Sequence, residues 1–508
     1  MAPPSSASLS SFDLMTLSHK PFVIGLTAFA LSTLLTSCAM GPNFKKPAAP
    51  AVKDYTPSPV STLAGASNVL GGEAQRFVTS QDIAGDWWTL FHSKPLNDLI
   101  ERSLKANPNL KAAQAALAVA RENVKAQQGA YYPQVAGSFS GSRQHTSSQL
   151  SPVPNANQFT FDLYTPQVTV SYVPDVFGLN RRTVESLNAQ AEQARFAWVA
   201  TDIALSANVV AAAIQEASLR AQIAATHQLI DLNSNMLRVL KTQFTNGYAD
   251  RLDVAAQESQ LAQILATLPP LLSQLAQQRD LLAALSGGFA SEGPAETFEL
   301  SGLTLPQELP LSLPSRLVEQ RPDVRQAEEN MHSASAQVGI AVANRLPNFM
   351  LSADIGSSAL SWGQVFASGT GFWSIGGTVT QPIFQGFTLL HRQRAAWAAY
   401  TNASELYRAA VLTAFQNVAD TLAALQQDAN ELKAAAFARD AAKVTLDLSK
   451  RQYETGYANY LSLLSAETTY DQAVIAFVQA QASRYADTAA LFLALGGGWW
   501  NRADLTKK

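Results

Sequence analysis

Four segments of the chain alternate apolar and polar residues with period two, the pattern of a strand with one apolar face. In 347–357, Phe349, Leu351, Ala353 and Ile355 share a face opposite Asn348, Met350, Ser352 and Asp354. In 372–381, Trp373, Ile375, Gly377 and Val379 oppose Ser374, Gly376, Thr378 and Thr380. In 166–173, Val168, Val170 and Tyr172 oppose Gln167, Thr169 and Ser171, and in 134–143 Val135, Gly137 and Phe139 fall on one side. Each segment is about 10 residues, the length a tilted strand needs to cross a bilayer. Elsewhere the chain is Ala-rich, with no proline between Pro174 and Pro269 and none after Pro382. These stretches predict helices over 181–246 and 388–455. At 1.5 Å per residue each is roughly 100 Å long, which calls for coiled-coil packing.

The same grammar is written twice. Asn107-Pro108 leads into a helical run that ends at Pro133, and Arg321-Pro322 into another that ends at Pro347. Pro174 and Gly178 answer Pro382 and Gly386. Gln243-Phe-Thr-Asn-Gly247-Tyr248-Ala249 answers Gln452-Tyr-Glu-Thr-Gly456-Tyr457-Ala458, and Leu252 and Glu258 answer Leu461 and Glu467. These landmarks define tandem repeats over 86–300 and 301–500, followed by a tail, 501–508. Each repeat is expected to run helix, two strands, very long helix, turn, return helix. Gly247 and Gly456 fit the left-handed position that ends a helix. Asp250 and Asn459 fit the N-caps of the return helices, so each pair forms a tight hairpin tip. Pro269-Pro270 is expected to interrupt the first return helix, where the second has Val478-Gln479.

Composition narrows the class. Only 15% of the 508 residues are charged and the net charge is −3, so no basic face is available for nucleic acid. The single cysteine excludes an internal disulfide. It lies in Leu35-Thr-Ser-Cys38, straight after the apolar stretch 22–35. Residues 1–37 have the layout of a signal peptide, and the end resembles the lipobox of bacterial lipoproteins, which makes Cys38 the lipid anchor. Either Met1 or Met15 can be the true start. A Pro-rich tether over 38–85 follows.

The mature chain is expected to have no 18-residue apolar span, and a bilayer admits only helices or closed barrels. Four strands cannot close a barrel. Two copies give eight strands with a filled interior; three give twelve, wide enough for a lumen. The polar inner face and low surface charge suit the trimer. The predicted fold is therefore an α+β membrane protein. Its long helices form a periplasmic α-barrel, and its four strands contribute to a trimeric 12-stranded outer-membrane β-barrel. Two half-buried hairpins in a pore-less scaffold lipoprotein are the alternative. No metal-binding, phosphate-binding or nucleophilic motif occurs, and the six histidines have no ligand spacing. No enzyme, catalytic residue, metal or cofactor is expected. Trp87-Trp88 is expected in a core or on an amphipathic surface.

At this point the landmarks resemble a known family, the TolC-like outer-membrane ducts, in the lipoprotein branch serving resistance–nodulation–division (RND) pumps. The resemblance rests on Cys38-Ala-Met-Gly-Pro-Asn-Phe-Lys-Lys-Pro47, on Trp87-Trp-Thr-Leu-Phe91, and on Leu313-Pro-Ser with Arg321-Pro-Asp-Val324. It rests also on the two tip motifs, Leu268-Pro-Pro-Leu271 and Ala494-Leu-Gly-Gly-Gly-Trp499. It implies a homotrimeric duct in the outer membrane of a Gram-negative bacterium, passing drugs or other toxic small molecules outward. It implies partners too, a periplasmic adaptor and an inner-membrane RND pump; a protein-secretion duct shares the same fold. By position, Leu461 matches a pore-constricting leucine, and Ser465 falls where relatives carry an acidic residue. Asp250 and Asp253 stand as acidic candidates beside their capping and dipole roles, and Leu252 is the first tip's counterpart of Leu461. Tyr248 and Tyr457 either pack inside the hairpins or face an adaptor. Cargo, cognate pump and opening trigger are not written in the sequence.

Overall fold

The computed structural model describes residues 39–57, 63, 66, 69–79, 81–146 and 160–506. The predicted signal peptide, both candidate starts and Cys38 lie outside the described residues. In chain order the strands are β1 (Arg76–Thr79), β2 (Gln134–His145), β3 (Thr160–Tyr172), β4 (Glu308–Leu311), β5 (Asn348–Ser357) and β6 (Gly371–Thr380). The helices are α1 (Lys94–Ala106), α2 (Pro108–Gln128), α3 (Leu179–Thr245), α4 (Arg251–Leu285), α5 (Pro314–Gln320), α6 (Pro322–Ala343), α7 (Thr388–Glu454), α8 (Tyr460–Ala494) and α9 (Ala503–Thr506). The chain divides into two compact units, one holding 39–42, 127–184 and 336–396, the other 43–126, 185–335 and 397–508.

The first unit is built on one antiparallel sheet, ordered β2-β3-β5-β6. The two hairpins come from different repeats and are zipped together where Val168 lies opposite Ile355 and Tyr172 opposite Leu351. That pairing aligns the period-two faces across all four strands. β2 and β3 run longer than their alternation, to His145 and back to Thr160.

The second unit is helical. In α7 the buried residues Ala403, Tyr407, Val411, Ala414, Val418, Leu422, Leu425, Ala429, Leu432 and Ala436 recur at three and four positions. That is a coiled-coil seam, with small residues letting neighbouring backbones approach. Near the ends of α3 and α7 a second cluster joins Met236, Leu240, Val254, Leu446, Tyr460, Leu463 and Ala466. The largest core gathers Trp87, Phe91, Leu96, Leu99 and Ile100 against α8. Trp87 stacks on Phe492 at 5.0 Å and is wholly buried, so the Trp87-Trp88 pair belongs to a core. Each such side chain contributes roughly 1.5–3 kcal/mol by leaving water.

The part of the Pro-rich segment that ends in β1 is fastened down. β1 pairs in parallel with β4. The fully buried guanidinium of Arg484 donates to the carbonyls of Gly71 (2.8 Å) and Glu73 (2.6 Å).

Two expectations are corrected. Pro269 and Pro270 do not interrupt the return helix: α4 is continuous over 35 residues with both prolines inside. Two ladder bonds are lost there, yet the helical turns on both sides carry the backbone through to Leu285. Nor is the chain without an apolar span of 18 residues. α3 contains one that by length and composition could cross a membrane, yet 61% of that window is buried inside the protein. It is a core helix, lined by Val199, Val209, Val210, Ala213 and Ile214.

Candidate functional site: the strand wall and the hairpin tips

The register sorts the sheet into two chemically distinct faces. On one lie Val135, Val168, Val170, Leu351, Ile355, Trp373, Ile375 and Val379. Many are exposed in the single chain, Trp373 at 74% and Ile375 at 78%. Such a face is stable only against lipid or another apolar surface. On the other face Thr169 Oγ1 donates to Asp354 Oδ1 at 2.6 Å, and Ser374 Oγ to Asp354 Oδ2 at 3.0 Å. Aromatic residues gather toward both ends of the strands. Phe139, Tyr164 and Trp362 cluster at one, with Phe139 and Trp362 edge-on at 5.1 Å. At the other, Phe384 and Phe387 meet at 5.7 Å. Aromatic rings at two levels are the pattern of the girdles that flank a barrel's apolar band. Among the described residues β2 and β6 each have one neighbouring strand, so each presents an open edge.

The chain just after Cys38 is pinned within the same unit. Met40 N–H donates to the Phe177 carbonyl at 3.2 Å, and Arg182 Nε to the Met40 carbonyl at 3.0 Å. A Cβ on Gly41 would stand 2.4 Å from the Gly339 Cα, so the approach requires glycine. We expect Cys38→Ala to abolish acylation while leaving these contacts intact; labelled palmitate retained on the variant would sink this assignment.

Both tips use the same turn. At the end of α3, Tyr248 N–H donates to the Gln243 carbonyl (2.8 Å) and Gly247 N–H to that of Phe244 (3.0 Å). At the end of α7, Tyr457 donates to Gln452 (2.8 Å) and Gly456 to Tyr453 (3.1 Å). Gly247 and Gly456 sit at φ 77° and 79°. This is the paired-bond helix stop that a left-handed glycine allows. Asp250 caps α4 by accepting from Arg251 N–H, and Asn459 caps α8 by accepting from Ser462 N–H at 2.9 Å. The capping role of Asp250 is thus realised, while Asp253 lies half-buried in the first turn. Tyr248 and Tyr457 do not pack inside the hairpins: they are 84% and 88% exposed. Leu252 and Leu461 are exposed as well, and so is Ser465. Tyr453 Oη donates to Gln243 Oε1 at 2.9 Å, tying the two hairpins together.

Just behind the tips lies a polar core that the sequence analysis did not single out. Tyr460 Oη donates to Gln257 Oε1, and Gln257 Nε2 donates to Asn233 Oδ1 at 3.0 Å, all three side chains being buried. Glu467 and Asp471, one turn apart on α8, are buried beside them. Neither Glu467 carboxylate oxygen has a well-formed hydrogen bond. Burial, then the charge of Asp471, pushes Glu467 up to about 7. Its counterpart Glu258 is exposed and bridges Lys241 at 2.7 Å. The signal was present in the spacing Tyr460, Leu463, Glu467, Asp471, which sets two acids on the apolar stripe of a helix.

A sheet apolar on one face and polar on the other, with open edges and aromatic residues toward both ends, has the chemistry of a membrane β-barrel wall, and the same chain forms helices about 100 Å long. The profile of the outer membrane efflux protein family matches residues 99–288 and 313–497, and the chain belongs to that family. It is 27% identical over 484 residues to the outer membrane protein OprJ of Pseudomonas aeruginosa, covering 95% of this chain and 97% of that one. It is 28% identical to the toluene efflux pump outer membrane protein TtgC of Pseudomonas putida, covering 94% and 96%. Its fold matches the solved outer-membrane channel OprN with a TM-score of 0.81 and 25% identity, covering 91% of this chain and all of that one. The protein is an outer-membrane channel of the efflux class, and its family is one of ducts rather than enzymes.

Proposed function

We propose that three copies of this chain form the passive outer-membrane duct of an RND-type tripartite efflux system, exporting drugs or other toxic small molecules. The observation that carries the reading is the parity of the sheet. Its four strands alternate in direction, so β6 of one copy meets β2 of the next antiparallel, and cyclic repetition closes without a mismatch. Closure is obligatory in lipid, where an unpaired edge has no water to bond. Two copies would give a barrel filled by its own side chains; three leave a lumen lined by the Asp354 face.

The tips carry the remaining roles. Leu252, Leu461 and Ser465 form the constriction at the periplasmic mouth. Tyr248 and Tyr457 offer exposed aromatic contacts to a periplasmic adaptor, and Gly247, Gly456, Asp250, Asp253 and Asn459 shape the turns that present them. Energy comes from an inner-membrane pump, and Cys38 adds an acyl anchor to the barrel. The test is the molar mass of the detergent-solubilised protein by light scattering corrected for detergent. Three chains per particle are expected; one chain per particle would overturn the shared barrel.

A further inference from the structure

We propose that a cavity between α3, α4 and α8, on the periplasmic side of the chain, is a binding site for small amphipathic organic cations. Its volume is about 730 Å³, within the usual range for small-molecule sites. Leu229, Ile264, Leu271 and Ile475 supply apolar wall, and glutamine amides such as Gln260 supply neutral polar groups. One charged residue lines it, Asp471, and no Lys, Arg or His does.

Asp471 is the unusual element. It is only 7% exposed, and its Oδ1 has no hydrogen-bond partner. Its Oδ2 is reached by Gln260 Nε2 at a long 3.4 Å. A buried carboxylate without a counter-charge is costly, and a bound cation removes that cost where an anion or a neutral molecule does not. Burial pushes the carboxyl up to about 6, with the Gln260 and Asn233 side chains offsetting only part of that cost and no positive charge beside it.

The proline pair adds to the site. Pro270 has no N–H to offer the Ala266 carbonyl, and both residues line the cavity. The second repeat has Val478-Gln479 instead and keeps its ladder donors. A ligand with a flat or bulky apolar body and one positive charge matches these walls. The inference rests on the duct reading for how a ligand arrives, but not for binding itself.

The test is ethidium fluorescence on the purified full chain in detergent micelles, corrected with empty micelles, with fluorescein as the anionic control. Ethidium is expected to bind and fluorescein not. Asp471→Asn, which keeps size and shape, should weaken ethidium at least tenfold. Ala266→Trp, which fills the cavity and keeps the carboxylate, should do the same, and light scattering should show both variants assembled as the wild type is. Wild-type ethidium affinity in either variant, or fluorescein binding as tightly as ethidium, overturns the site. A three-chain particle without ethidium binding rejects the site and leaves the duct. A one-chain particle that binds ethidium through Asp471 does the reverse.

Discussion

Glu467→Gln is expected to stabilise the protein by about 3 kcal/mol per chain at pH 8 and to make little difference near pH 4.5. Glu467 is wholly buried on α8, and its carboxyl is raised from 4.5 to about 7 by burial and by Asp471, with Lys450 offsetting only part. A carboxyl that is harder to ionise folded than unfolded opposes folding above its folded value. That penalty is complete above about pH 7, shrinks as pH falls, and is gone below the ordinary glutamate value, where both states are protonated. Wild-type stability should therefore rise as pH is lowered from 8 toward 5. The glutamine variant should lose only Glu467's share of that slope. The rest should remain from Asp428, raised from 3.8 to about 7, from Asp471, raised from 3.8 to about 6, and from His332, raised from 6.5 to about 9. Thermal unfolding at pH 8, 6.5 and 5 checks this, and equal midpoints for the two proteins at pH 8 would refute it. Glu467 directly follows Ala466, which packs with Tyr460 and Leu463 near the tips.

The second large effect concerns the sheet. Ile375→Arg should remove the protein from the outer membrane, whereas Ser374→Arg, one residue away, should leave it there. Ile375 lies mid-strand on the apolar face, opposite Ala353 and 78% exposed in the single chain. An arginine facing the bilayer midplane costs about 2–4 kcal/mol per chain, and three copies incur it together. Ser374 lies on the other face and already donates to Asp354, so an arginine there gains a carboxylate partner. Outer-membrane fractions separated by density, probed for each variant, give the answer. Equal insertion of Ile375→Arg and the wild type would mean the apolar face meets something other than lipid.

These two residues divide what could be read from the sequence from what could not. The faces of β5 and β6 were legible because a strand's side chains alternate whatever it pairs with, so Ile375 and Ser374 are separated by local geometry alone. The long helices were legible for a similar reason: a run without proline, ended by a glycine that tolerates positive φ, declares its own length. The tip turns at Gly247 and Gly456 follow from the residue type as much as from context, and the duplication made them visible twice. Cys38 belongs to the sequence entirely.

Tertiary structure decided what depends on distant neighbours. No local pattern says that β3 pairs with β5 across the repeat boundary, or that β1 finds β4. Pro269 and Pro270 looked like a break because proline removes local bonds, yet α4 runs through both without interruption. The apolar window of α3 has the composition of a membrane span, and only its neighbours make it core. Glu258 and Glu467 occupy equivalent places in the two repeats, and only the fold leaves one paired in water with Lys241 and buries the other. Periodicity and backbone preference are properties of a few adjacent residues, so the sequence carries them openly. Burial and the cost of a buried charge are set by residues two hundred positions away, so only the folded chain reveals them.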